Sequence, residues 1–189
     1  MNKLILKTAL ITIAALAVAA LAVFSLWILC SPQTMATSCE KTGNYSFAVT
    51  CADLRYKYTN NVGDLARCAE DSILSGNDSR IVNYGAKLID DEKFSQLCTE
   101  KDKLLSNTEY GSYTLGYKNY ICGHVAAAYY RTGELQRGID TAEKGGVNAF
   151  TKLVLEIAEK QDKEAAQKVL TALEGVENSE QLTLILKKI

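Results

Sequence analysis

Few residues in this chain could do chemistry, and they are scattered. His124 is the only histidine. Acyl transfer needs a nucleophile, a base and a group that orients the base. No GxSxG serine or comparable cysteine signature lies near His124 in sequence. There is no glycine-rich phosphate loop, and no cluster of His and Cys has metal-ligand spacing. Carboxylate neighbours occur at Asp90 and Asp91 and at Glu70 and Asp71, in charged helical surfaces where a solvated face or a helix terminus is their ordinary role. The chain is therefore read as no enzyme, with no catalytic residue, metal or cofactor expected.

One surface supports a sharper expectation. Tyr117, Tyr120, His124 and Arg131 fall at helical spacing on a face different from that of Val125 and Tyr129. Such a stripe can bind a partner's peptide, or a carboxylate through Arg131. Tyr110 and Tyr113, in the preceding connection, would form its rim. The alternative is that these tyrosines pack between helices with their hydroxyls in water. Titration of His124 would matter only if it is buried beside a charge.

Cys39, Cys51, Cys68, Cys98 and Cys122 follow a long apolar run, and Cys30 sits at its end. No CxxC spacing occurs, so disulfides are a better reading than a zinc site or a thioredoxin-type motif. The expected pairs are Cys51 with Cys68, at similar distances from a turn at Thr59 to Val62, and Cys98 with Cys122, flanking a turn near Tyr110. Each bridge would staple antiparallel helices and add ~2 to 4 kcal/mol. Cys39 would then pair with Cys30 or stay free. Buried free thiols are the alternative, since cysteine often simply fills core space.

The element that places all of this is the apolar run itself. Ala9 to Leu29 carries no charge and covers roughly 30 Å at helical rise, enough to cross a bilayer's hydrocarbon core. Lys3 and Lys7 precede it, while Glu40 and Lys41, the first charges after it, cancel. The N-terminus is expected to be cytoplasmic and the C-terminal domain periplasmic or extracellular. A cleaved secretory signal is the competing reading, but its apolar region is usually only ~7 to 15 residues. Leu29 before Cys30 argues against a lipoprotein processing site, and the pair Ala15 and Ala19 would allow close helix packing in the membrane. The domains expected are 1–30 as cytoplasmic N-terminus and anchor, 31–44 as linker and 45–189 as exported domain.

That domain reads as helical hairpins with almost no strand alternation. Phe150, Leu153, Val154, Ile157 and Ala158 form one apolar face over Ala149 to Lys160, and Ala165, Ala166, Val169, Leu170 and Leu173 form another from Asp162 to Leu173. So short a connection makes the two antiparallel neighbours. Tyr113 to Arg131 pairs with Glu134 to Lys144 around Thr132 and Gly133. Ile81 to Ile89 pairs with Glu92 to Leu105, and Phe47 to Tyr58 with Asp64 to Leu74. A last helix from Glu180 to Lys188, with Ser179 as N-cap, would cover the end. The fold class is all-α: a transmembrane helix plus a short α-solenoid of about four hairpins.

Gly63-Asp64-Leu65-Ala66-Arg67 recurs as Gly133-Glu134-Leu135-Gln136-Arg137, two units of about 35 residues apart. The segment Ala126-Ala127-Ala128-Tyr129-Tyr130-Arg131-Thr132-Gly133-Glu134-Leu135 resembles the end of the first helix and the turn of a tetratricopeptide repeat, with Ala126, Tyr129 and Gly133 on the small, aromatic and turn-glycine positions. Gly138 stands on the usual small position of the second helix. Over the other hairpins the likeness is one of architecture. The resemblance implies that the first helix of each hairpin lines a groove, which would place the Tyr117 to Arg131 stripe there.

With 21 Lys+Arg against 22 Asp+Glu, net charge −1 and no long basic run, the chain has no electrostatic footprint for nucleic acid. Two sequons, at Asn44 and Asn77, would be accessible in a secretory lumen. The expected function is that of a membrane-anchored, non-catalytic adaptor or assembly factor, a scaffold that holds another membrane or envelope protein and is itself held in the bilayer by residues 9–29. A small-molecule binder or enzyme using the groove around His124, or a secreted soluble helical-repeat protein, are the alternatives.

Overall fold

In the computed structural model of the chain, residues 3–105 and 116–189 are described, with the side chains of 7–27, 31–104 and 116–189. The expected rim residues Tyr110 and Tyr113 and the side chain of Cys30 lie outside them. The described residues form helices and no strand: α1 (Lys3–Cys30), α2 (Pro32–Lys41), α3 (Tyr45–Thr59), α4 (Val62–Ser75), α5 (Asp78–Ile89), α6 (Phe94–Leu105), α7 (Tyr117–Arg131), α8 (Leu135–Gly145), α9 (Val147–Lys160), α10 (Lys163–Leu173) and α11 (Glu180–Leu186). In α1, the 21 residues Lys7–Trp27 are apolar enough to cross a membrane and none of that stretch is buried.

The helices start and stop where side chains dictate. Asn44, Asn61, Asn77 and Asp162 are N-caps whose side chains accept backbone N–H groups of Phe47, Gly63, Arg80 and Ala165. Left-handed residues end the preceding helices at Asn60, Gly76 and Gln161. Both sequon asparagines are thus helix caps. Ser179 does precede α11, but its hydroxyl donates to the Leu173 carbonyl at 3.3 Å instead of capping.

The segment expected to link anchor and domain is itself helical. Ser31 leaves the helical region at φ −142°, Pro32 starts α2, and Met35, Ala36 and Cys39 are buried. Met35 and Ala36 pack on Cys51 and Phe47 of α3.

Short turns make successive helices antiparallel, and cross-helix contacts fix the rest. α7 and α9 run the same way, with Gly123 beside Ala149 and Arg131 bound to Glu156. α5 runs against α7, with Gly85 beside Val125 and Asp78 bound to Arg131. Hence α2, α4, α7 and α9 point one way and α3, α5, α8 and α10 the other. The expected pairing of the Ile81 and Glu92 helices is replaced: α5 packs chiefly between α4 and α7, while α6 packs on α7 and α4. The two copies of the Gly-Asp/Glu-Leu echo therefore begin helices of opposite sense, α4 and α8.

A single hydrophobic cluster extends from Leu65 in α4 to Leu186 in α11, with α7 at its centre. α8 lies so close to α7 that a Cβ on Gly138 would stand 2.8 Å from the Ala126 carbonyl oxygen. Helix propensity alone would make Gly138→Ala stabilising by ~0.5–1 kcal/mol. The clash should reverse that sign and cost about 1–3 kcal/mol. Equilibrium unfolding of the full chain in detergent measures it, and a stabilised variant would rule out the close approach as the reason for glycine.

Candidate functional site

The four residues of the expected stripe share one side of α7, yet that side is largely covered. Tyr117 is 1% exposed, and its hydroxyl donates to Glu70 Oε1 at 2.7 Å. Lys101 Nζ donates to the same oxygen at 2.8 Å. Tyr120 and His124 are half-buried and meet edge to face, their ring centroids 4.7 Å apart. Burial pushes the His124 imidazole down to about 4, with Lys152 and Arg131 adding to the shift, so the ring is neutral at neutral pH.

Arg131 was expected to meet a carboxylate from outside; its guanidinium meets two from within. Nε and Nη2 donate to Asp78 Oδ1 at 2.8 and 2.6 Å, and Nη1 donates to Glu156 Oε1. Asp78 opens α5 and Glu156 lies in α9, so one side chain ties three helices. Arg131 is a structural clamp.

The broad cavity on this side lies next to the stripe, between α2, α4, α6 and α7. It has a volume of about 530 Å³ and is lined by residues that include Glu40, Arg67, Asp71, Leu74, Lys101 and Tyr120. Arg67 Nε donates to Glu40 Oε1 at 2.6 Å and Nη2 to Thr37 Oγ1 at 2.7 Å, which pins α4 to α2. Asp71 is 3% exposed and its Oδ2 has no hydrogen-bond donor among the described residues. Desolvation raises the Asp71 carboxyl well above the usual carboxylate range, the neighbouring Glu40 charge adds to the rise, and Arg67 opposes it. A proton held on Asp71 lets one carboxyl donate to the other.

Sequence reasoning put Tyr120 on a candidate groove, missed Glu40 because it took residues 31–44 as a linker, and missed Arg67 and Lys101 because their carboxylate partners lie 27 and 31 residues away. Ser31 before Pro32, followed by Met35, Ala36 and Cys39 at helical spacing, was the signal for α2.

The cysteines expected to pair, Cys51, Cys68, Cys98 and Cys122, are buried free thiols, as is Cys39. The helix in place of the linker sets Cys39 within electrostatic reach of Cys51, while Cys98 and Cys122 are within reach of each other. Burial pushes Cys51, Cys98 and Cys122 up to about 11 and Cys68 up to about 12, which makes them poor nucleophiles. Among the described residues, no group of three or more His, Cys, Asp and Glu could hold a metal ion.

Comparison of the chain with family models, with curated proteins and with solved structures returned no match.

Two expectations follow from this geometry. Because the chain has one histidine, its imidazole NMR signals are unambiguous. They should stay those of a neutral ring down to about pH 5, with a midpoint near 4; a midpoint near the unperturbed ~6.5 would contradict the buried placement. The sign is that of a depressed base: folding stability is full above the unfolded value and is lost as pH falls towards the folded one. Arg131→Met leaves two partly buried carboxylates unpaired and should destabilise the domain by about 1–3 kcal/mol in denaturant titration. An Arg131→Met chain as stable as the wild type would show the clamp to be idle.

Proposed function

We propose that this chain is a single-pass membrane protein whose helical-repeat domain is a non-catalytic adaptor, holding a segment of another envelope protein in the groove between α2, α4 and α7. The observation that carries this reading is the continuity of an unburied apolar helix with a groove-bearing domain through α2, with no flexible spacer between them. The repeated alternation of helix direction supports stacked hairpins, with α2, α4, α7 and α9 pointing one way, while the Gly63 and Gly133 echoes begin helices of opposite sense and mark no common repeat unit. In such a stack each unit needs its neighbour to bury its apolar face. Lys3 and Lys7 before the span support a cytoplasmic N-terminus and an exported domain, where buried cysteines would be open to pairing.

The groove suits a polypeptide. Its charges are held by one another, Arg67 by Glu40 and Lys101 by Glu70, so they stand at fixed positions for hydrogen bonding. Leu74, 54% exposed, and the half-buried Tyr120 give apolar contact beside them. A small molecule is the second reading, since about 530 Å³ falls among ordinary ligand-site volumes.

Crosslinking the full-length protein in its native membrane, followed by mass spectrometry, tests the proposal. Leu74→Glu is the control of choice because the side chain is exposed and lies outside the hydrophobic core. A stoichiometric partner captured by the wild type and lost by Leu74→Glu, with the helical spectrum unchanged, is the expected result. A partner retained by Leu74→Glu and Tyr120→Ala alike would remove the groove from the proposal, and no partner in any sample would favour the small ligand.

A further inference from the structure

We propose that the α2–α3 hairpin rests directly on the bilayer, with Tyr58 and Phe47 on one face of α3 inserted at the level of the phospholipid headgroups and the adjoining hydrocarbon edge. This rests on reading α1 as a membrane anchor. Two contacts at opposite ends of the hairpin place it there.

At one end, the Phe47 ring stacks on Phe24 of α1, with centroids 6.5 Å apart and planes 17° from parallel. Phe24 stands five residues before Leu29, the last residue of the apolar run, which is ~8 Å along a helix axis. A ring stacked on Phe24 therefore sits in the outer part of the hydrocarbon. At the other end, a cleft of about 410 Å³ is lined by Ser31, Pro32, Gln33 and Thr34 together with Arg55 and Tyr58. Ser31 to Thr34 follow Leu29 by no more than ~8 Å of helical rise, and each headgroup layer is ~5–8 Å deep. Side chains sharing a cleft with them share that depth.

The sequence of α3 is built for this position. Phe47, Leu54 and Tyr58 repeat at helical spacing on one face, with Cys51 between them turned into α2. Tyr58 is 77% exposed, an unusual placement for a large aromatic in water and the ordinary one at a membrane surface, where the ring meets the glycerol region and the hydroxyl meets water. The basic residues of α3 itself are paired: Arg55 with Asp64 at 2.9 Å and Lys57 with Asp53 at 2.6 Å. The contact is thus aromatic and interfacial and does not require anionic lipid.

The test uses the full chain reconstituted in phosphatidylcholine vesicles, and it exploits the single native tryptophan. Fluorescence quenching by phosphatidylcholine carrying a nitroxide on the headgroup, or on the acyl chain, is compared for the wild type and for two chains in which Trp27→Phe is combined with either Tyr58→Trp or Leu184→Trp. Leu184, in α11 and 58% exposed, is the reference for a surface residue. The expected result is that the headgroup nitroxide quenches the Tyr58→Trp chain and spares the Leu184→Trp chain, unchanged when phosphatidylglycerol is added. Quenching of native Trp27 with none above the Leu184→Trp level for Tyr58→Trp would overturn the headgroup contact and leave the anchor standing. If acyl-chain nitroxide also fails to quench Trp27, the anchor itself falls and the headgroup contact falls with it.

Discussion

The structure depends on how closely backbones approach α7. A Cβ at Gly85 would collide with Val125 Cγ2, one at Gly138 would meet the Ala126 carbonyl at 2.8 Å, and one at Gly145 would meet Ala149 and Cys122 Cβ atoms at 2.5 and 2.6 Å. Glycine removes the atom that would hold α5, α8 and α9 away from the central helix. The result is a helix buried on almost every side, with Ala126, Ala127 and Ala128 fully enclosed along it. This density has a chemical consequence. Polar groups on α7 cannot reach bulk water freely, so each needs a protein partner: Tyr117 takes Glu70, Tyr130 takes Asp162 at 3.0 Å, and Arg131 takes Asp78 and Glu156. What looks in sequence like a recognition stripe is in large part the polar mortar between helices.

The same accounting separates positions that can be probed from positions that cannot. Losing the Arg131 guanidinium exposes two carboxylates to each other and to a low-dielectric wall, so a binding defect in such a variant would be confounded with unfolding. Asp71 works in the opposite direction. Its carboxyl is buried and raised, so the folded state holds a proton that the unfolded state releases. That contribution is complete below the unfolded carboxylate range near pH ~4 and is lost as pH rises through the folded value, the reverse of the His124 effect. The two groups sit on neighbouring helices, and their contributions on the acid side carry opposite signs.

The helical character of the domain was legible because apolar residues recur with a period near 3.6 wherever a helix has one wet face. The α9 and α10 runs, with Asp162 capping the second, are the plainest case. On α7 periodicity finds the helix but not its wet face, because a helix buried on almost every side has no polar stripe to set one. Periodicity misses α2, since a short helix of Thr, Ser and Gln with only three buried residues resembles a linker in composition. Ion pairs are the least legible. Arg131 with Asp78 and Arg67 with Glu40 join residues 53 and 27 positions apart, and only the direction and order of the packed helices bring them together. The cysteines were read as disulfide pairs and are buried free thiols, because spacing from a turn does not fix a thiol's neighbour once an extra helix enters the packing.

The hairpin of α2 and α3 serves two neighbours at once, and this constrains the proposed function. Its outer side meets α1 through Phe47 and Phe24, while Gln33, Glu40 and Tyr45 form one wall of the groove. A groove wall that is itself packed against α1 has no flexible tether to average its orientation. On the adaptor reading, the bound segment is presented at a set height and angle above the bilayer, so partners anchored in the same membrane bind with a high effective concentration. Soluble peptides with the same sequence gain nothing from that arrangement. The Arg67 contacts with Glu40 and Thr37 are then the coupling element, because they lock the wall carried by α2 to the floor carried by α4. Any motion of the anchor transmitted through α2 must strain or break them before it can reshape the groove.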